Sequence, residues 1–143
     1  MTLYSAVQLE GGRVTFKTYS IFLVEDHLLV RRALRQLLEA EVNLTVVAEA
    51  GSAESALAQL SNIAPDLILT DLSLPGISGL ELVEALTQQR PELTCLVVTG
   101  HVDPFYRAAA FAAGAACFVT KDDPDEVLEA VWQVLDGTKS ELA

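Results

Sequence analysis

From Ser20 onward the chain alternates five short apolar runs with amphipathic segments of helical period. The runs are Ile21-Phe22-Leu23-Val24, Leu44-Thr45-Val46-Val47-Ala48, Leu67-Ile68-Leu69, Cys95-Leu96-Val97-Val98 and Ala116-Cys117-Phe118-Val119. They are rich in β-branched residues and apolar at nearly every position. Strands of a parallel sheet read this way when both of their faces are covered.

The segments between them carry helix signals. Over residues 27–40, Leu28, Val30, Leu34, Leu37 and Leu38 fall at helical spacing, with Arg31, Arg32, Arg35 and Glu39 to fill the solvent side. Ser52 caps a second helix, and Ser78-Gly79-Leu80-Glu81 fits a capping box. Asp103-Pro104 and Asp123-Pro124 each place a cap before a proline at the first helical position, and Gly114 is a stop. Five strands alternating with five helices predict an α/β fold, a doubly wound parallel sheet with helices on both faces. Its ligand site then lies beyond the C-terminal ends of the strands.

Residues 20–138 form the expected domain, with 139–143 as a tail. In residues 1–19, Val7-Gln8-Leu9 and Val14-Thr15-Phe16 flank Gly11-Gly12, a hairpin pattern. A disordered extension is the favoured reading there. Cys95 and Cys117 sit in apolar runs without metal-type spacing and are expected to be reduced core thiols. With nine Lys and Arg against 20 Asp and Glu, the net charge of -11 makes direct nucleic-acid binding by this chain a poor prospect. There is no signal-peptide pattern. The long uncharged stretch, residues 108–120, falls short of the roughly 20 apolar residues a membrane helix needs. A cytoplasmic, non-membrane protein is expected.

The polar residues that close the strands converge. The first strand ends in Glu25-Asp26, the third in Asp71, the fourth in Thr99 and the fifth in Lys121. Three neighbouring carboxylates repel one another unless a divalent cation shares them, and an oxygen-only donor set suits Mg²⁺, with Mn²⁺ possible. Mg²⁺ takes few protein carboxylates and completes its shell with water and phosphate, so such a site handles a phosphoryl group. The metal and Lys121 would offset charge on phosphoryl oxygens, and Thr99 could donate a hydrogen bond. A carboxylate such as Asp71 can itself be the nucleophile, giving an aspartyl phosphate. Pro75-Gly76 fits the centre of a type II turn that holds Asp71 at the base of a loop, with the Ser73 backbone carbonyl available to the metal.

Four segments, in order, closely resemble the receiver domain of bacterial two-component response regulators. They are Phe22-Leu23-Val24-Glu25-Asp26-His27, Asp71-Leu72-Ser73-Leu74-Pro75-Gly76-Ile77-Ser78-Gly79-Leu80-Glu81, Val98-Thr99-Gly100-His101 and Gly114-Ala115-Ala116-Cys117-Phe118-Val119-Thr120-Lys121. The LuxR-type (NarL/FixJ) subgroup is the most similar. The resemblance covers about residues 20–137 and implies a CheY-like sheet of strand order 2-1-3-4-5. It implies Asp71 as phosphoacceptor, and Mg²⁺ on Asp26, Asp71 and the Ser73 carbonyl with Glu25 supporting through water. It implies Thr99 and Lys121 as phosphoryl contacts, and Phe118 as a switch aromatic that moves inward as Thr99 is drawn to the phosphate. A sensor histidine kinase would be the phosphodonor. A homodimer through the last two helices and fifth strand is a further expectation.

The chain departs from the family pattern in three places. Asp122 follows Lys121 where many receivers have proline, an N-terminal extension is present, and no output domain follows. Control of transcription through a LuxR-type DNA-binding domain absent from this chain is the expected output. A stand-alone receiver acting by protein contacts is the alternative. A haloacid-dehalogenase-type phosphatase needs a second acid where Ser73 stands. A flavodoxin-like cofactor binder needs a phosphate loop where Glu25-Asp26-His27 stands. A pseudo-receiver typically loses the acidic pair, the acceptor or the lysine, all retained here. His27 reads as a surface residue at the start of the first helix, and His101 as a neighbour of the site entrance without a catalytic role. Trp132 reads as core-edge packing beside Val127, Leu128, Val131 and Leu135, with a partner-binding face as its alternative.

Overall fold

A computed structural model of the chain describes residues 7–100 and 103–136, with the backbone alone over 7–10 and 13–16. Two short strands, β1 (Val7–Glu10) and β2 (Arg13–Phe16), pair antiparallel across Gly11-Gly12. Both glycines take positive φ, 56° and 80°, the conformation a two-residue hairpin turn of the primed type requires. The hairpin is thus the alternative adopted over 7–16, and not the disordered one favoured from sequence. The Gly-Gly pair supplied the signal for it. Residues 1–6, His101 and the 139–143 tail lie outside the described residues.

The main sheet comprises β3 (Tyr19–Val24), β4 (Leu44–Ala50), β5 (Leu67–Thr70), β6 (Cys95–Thr99) and β7 (Cys117–Thr120). All are parallel and ordered β4-β3-β5-β6-β7, the 2-1-3-4-5 order that the resemblance implies. The crossovers carry α1 (Leu28–Glu39), α2 (Ala53–Leu60), α3 (Gly79–Gln89), α4 (Pro104–Ala113) and α5 (Pro124–Asp136).

Side chains alternate across the sheet, so each strand feeds two cores. On one face Ile21, Leu23, Leu67, Leu69, Leu96 and Val98 pack with Leu34 and Leu38 of α1 and with Val127, Val131 and Trp132 of α5. On the other, Phe22, Val24, Ile68, Val97 and Phe118 meet α2, α3 and α4 through Leu60, Leu82, Leu86 and Ala110. This explains the nearly continuous apolar runs: both faces of the three central strands are covered, with only Ser20 near the start of β3 partly exposed.

The helix ends follow their cap residues. Ser52 Oγ accepts from Ser55 N at 3.1 Å. Ser78 and Glu81 form the reciprocal capping box. Asp103 Oδ1 accepts from Phe105 N at 2.8 Å ahead of Pro104. Gly114 ends α4 with φ 116°, where a Cβ would also lie 2.1 Å from Thr87 Oγ1. His27 is the cap of α1, not its first residue: its Nδ1 accepts from Val30 N at 3.4 Å. Leu28 and Leu29 are exposed, so the buried stripe of α1 is narrower than its leucine content suggests.

Trp132 is a correction. It is only 2% exposed, its Nε1 donates to Glu41 Oε1 at 3.2 Å, and its ring meets Tyr19 edge-on at 5.8 Å. It is core, not core edge, and its ring is withdrawn from any partner-binding face. The polar Nε1 is satisfied by Glu41, which is how an indole is buried at low cost.

Cys95 is buried, and burial pushes its thiol up to about 12. The ordinary value is 9.0, so the folded chain is stabilised below that pH and loses the contribution as pH rises through about 12. Cys117 is half-buried and is shifted upward by the same cause. Reactive thiolate at Cys95 is therefore scarce near neutrality. Iodoacetamide at about pH 8 is expected to leave Cys95 unmodified in the native chain and to alkylate it in guanidinium. Peptide mapping reads the result, and native alkylation of Cys95 would contradict its placement in the core.

Candidate functional site

The strand ends are brought level by the register of the sheet. Val24 pairs with Thr70, and Thr70 with Val97, so the residues that follow emerge at the same edge. Glu25 N donates to Ala50 O at 3.0 Å and Asp71 N to Val24 O at 3.1 Å, each extending the ladder one residue past its strand. Glu25, Asp26 and Asp71 each offer a carboxylate oxygen, and these oxygens all lie within 4.8 Å of one another. Glu25 is 1% exposed and Asp71 6%, whereas Asp26 is exposed.

Lys121 reaches into this cluster from the residue after β7. Its Nζ donates to Glu25 Oε1 at 2.6 Å and to Asp71 Oδ2 at 2.8 Å. Burial lifts the Glu25 carboxyl above its ordinary range, opposed by the Lys121 hydrogen bond and the His27 backbone N–H and assisted by the charge of Asp71. For Lys121, burial pulls the ammonium down, but its hydrogen bonds to Asp71 and Glu25 and their charges outweigh it, so the group is held above its ordinary value. One ammonium is thus shared by the two buried carboxyl groups.

Thr99 is fully buried at the end of β6, and its carbonyl accepts from Lys121 N at 2.9 Å. Ser73 N donates to Asp71 Oδ1 at 3.3 Å, so the loop after β5 folds back on the Asp71 carboxylate. Gly76 in that loop has φ 74°, the left-handed value that the second central residue of a type II turn needs. Phe118 on β7 is packed inward at 6% exposure. The structure thus draws Glu25, Asp26, Asp71 and Lys121 together. It sets Thr99 and the Ser73 loop beside them and holds Phe118 one layer below.

Two residues at the site have roles that the sequence reading did not give them. Arg31 reads as a solvent-side residue of α1, yet its Nη1 donates to the Glu25 carbonyl at 2.8 Å and its Nε to Glu49 Oε1 at 3.1 Å. Gly79 reads only as part of the capping box, yet a Cβ there would lie 1.9 Å from the Asp71 carbonyl oxygen. The turn sequence signalled a helix start but carried no sign of that approach.

An all-oxygen cluster of two buried carboxylates and an exposed one suits a hard divalent cation such as Mg²⁺, which binds through few carboxylates and keeps its waters. A profile of the response regulator receiver domain matches residues 21–132. The chain belongs to the receiver-domain family of two-component response regulators. As a receiver it is a signalling domain, and its relatives are LuxR-family regulators. It is 41% identical over 102 residues to the DNA-binding transcriptional activator DevR/DosR of Mycobacterium tuberculosis, covering 71% of this chain and 47% of that one. It is 40% identical over 119 residues to the transcriptional regulatory protein UhpA of Salmonella typhimurium, covering 82% and 59%. The chain thus spans about half the length of these curated relatives. Among solved structures, a LuxR-family two-component response regulator from Aurantimonas sp. SI85-9A1 superposes with TM-score 0.82 at 37% identity, covering 85% of this receiver and 87% of that chain. The signal receiver domain of a NarL response regulator from Mycobacterium tuberculosis gives TM-score 0.80 at 27% identity, covering 85% and 98%. No helix among the receiver's described residues is long and apolar enough to cross a membrane.

Proposed function

We propose that this receiver accepts a phosphoryl group on Asp71 from the phosphohistidine of a sensor histidine kinase, and that a divalent cation on the acidic cluster is required. The observation that carries the reading is the shared Lys121 bridge, an ammonium 2.8 Å from Asp71 Oδ2 and 2.6 Å from Glu25 Oε1. In the transfer, an Asp71 carboxylate oxygen forms the new O–P bond while the N–P bond of the donor breaks. The departing imidazole nitrogen keeps the electron pair and takes up a proton. Hydrolysis returns the carboxylate when water attacks the same phosphorus.

Asp26, Asp71 and the Ser73 carbonyl would hold Mg²⁺ or Mn²⁺, with Glu25 in support. When bound, the ion neutralises charge on the phosphoryl oxygens. Lys121 would follow the phosphoryl group, a reading supported by its contact with the Asp71 carboxylate. Thr99 supplies a hydroxyl at the neighbouring strand end. Phe118 is the aromatic that we assign to the switch, with its population biased by the contacts Thr99 makes.

Control of an output outside this chain, transcription through a LuxR-type DNA-binding domain, is the reading that the names of DevR/DosR and UhpA support. A cytoplasmic setting belongs to it. The face of α4, β7 and α5, grooved between Arg107, Phe118, Glu126 and Gln133, is the surface we assign to a homodimer.

The test is phosphoryl uptake from acetyl phosphate by intact mass, with Mg²⁺ and with excess EDTA. One added phosphoryl group in Mg²⁺ and none in EDTA is expected. Equal uptake in both would remove the cation from the account.

A further inference from the structure

The acidic loop that follows β3 is held by a cation on the side away from its carboxylates. β3 ends at Val24, and Glu25 N makes a last ladder bond to Ala50 O. There the chain turns into α1, and the Glu25 carbonyl receives the Nη1 of Arg31 at 2.8 Å, a guanidinium standing in for a backbone donor. Arg31 is fixed in turn. Its Nε lies 3.1 Å from Glu49 Oε1 on β4, and Arg35 also pairs with Glu49. The neighbouring backbone leaves room for it, since a Cβ on Gly51 would lie 3.2 Å from Arg31 Nη1 and 4.0 Å from the Asp26 Cα. Arg31 and Gly51 therefore fit together beneath the Glu25-Asp26 turn.

We infer that Arg31 is a positioning residue for the cation site. It touches none of the carboxylate oxygens that would bind the ion. It fixes the peptide that carries Glu25 and Asp26, so that both carboxylates face Asp71. This rests on the phosphoacceptor reading above.

Charge and positioning predict opposite signs. A positive group beside a cation site repels the ion, so losing it would tighten Mg²⁺ binding if charge alone mattered. Losing a group that orients the ligands weakens binding, by about 10-fold or more for outer-shell partners of metal sites. Arg31→Met removes the charge and the fork but keeps the length of the side chain. Arg31→Lys keeps the charge and loses the planar, two-directional donor.

Mg²⁺ binding to the metal-free chain, measured by isothermal titration calorimetry with near-ultraviolet circular dichroism to verify folding, decides the matter. Arg31→Met is expected to raise the Mg²⁺ Kd about 10-fold, with phosphoryl uptake recovering at saturating Mg²⁺. Arg31→Lys is expected to fall between. Unchanged or tighter binding by folded Arg31→Met overturns the inference and leaves the phosphoacceptor reading intact. A wild type that binds no Mg²⁺ overturns both. Should Arg31→Met not fold, Arg31→Lys carries the decision because it keeps the charge: weaker binding supports the inference, and unchanged or tighter binding overturns it.

Discussion

Lys121→Ala is expected to destabilise the metal-free chain by about 2–3 kcal/mol near neutral pH and to make its stability respond strongly to Mg²⁺. Lys121 is the cation shared by Glu25 and Asp71, two carboxylates almost withdrawn from water. Removing one partner of a buried ion pair leaves the other charge desolvated and unpaired, and here it leaves two like charges facing each other. The lysine is itself partly exposed, with 23% of its side-chain surface accessible, which holds the expected loss below that of a fully buried pair. The pH dependence has a definite sign. Glu25 is raised above 4.5 in the folded chain, so its neutral form is favoured by folding and its ionised form is costly. As pH falls through its folded value the carboxyl protonates, the repulsion disappears, and the deficit of Lys121→Ala shrinks. The ammonium is raised above 10.5, so the wild-type bridge persists at neutrality and is lost only as pH rises through that higher folded value. Urea unfolding at several pH values, with and without Mg²⁺, measures all of this. A variant as stable as wild type near neutrality without metal would contradict the shared bridge.

Gly79→Ala is expected to destabilise the fold by about 3 kcal/mol or more and to abolish phosphoryl uptake in whatever fraction folds. Its Cβ would stand 1.9 Å from the Asp71 carbonyl oxygen and 2.8 Å from both the Asp71 carbonyl carbon and the Leu72 Cα. These are backbone atoms, so no side-chain rotation relieves the overlap. Either the first turn of α3 or the peptide after Asp71 must move. The first choice breaks the Ser78–Glu81 capping box and the bond from Gly79 N to Leu72 O at 2.9 Å. The second shifts the Asp71 carboxylate relative to Lys121. Thermal unfolding together with intact mass after acetyl phosphate treatment tests both halves. A Gly79→Ala protein with wild-type melting and uptake would show that the approach relaxes at little cost.

The strands and the cluster at their ends were legible because burial on both faces leaves a strong mark, whereas the order of the strands came only with the family resemblance. Runs such as Leu67-Ile68-Leu69-Thr70 admit no charged residue until the strand leaves the sheet, so the first charged residue marks the edge. Asp71 and Lys121 stand out for that reason, as does the Glu25-Asp26 pair. The caps were legible because Ser52, Ser78 and Asp103 satisfy backbone N–H groups within their own segments.

What was not legible depends on contacts across the fold. Arg31 is one of several arginines on α1, and only the end of β4 beside it assigns its guanidinium to Glu25 and Glu49. Gly79 looks like any glycine in a turn, because the atom that excludes a Cβ belongs to the end of a different element. Trp132 reads as peripheral by its position on the stripe of α5, but Tyr19 and Glu41 close over it from β3 and from the loop after α1. The hairpin over 7–16 was the reverse case, a local Gly-Gly signal outweighed in the reading by the general tendency of termini to be loose.

The central claim is that Asp71 is the residue that carries the phosphoryl group. Wild type and Asp71→Asn are incubated in parallel with acetyl phosphate and Mg²⁺, and intact mass is read on each. One phosphoryl group on the wild type and none on Asp71→Asn is the predicted result. Uptake by Asp71→Asn equal to that of the wild type would contradict the account and move the acceptor elsewhere.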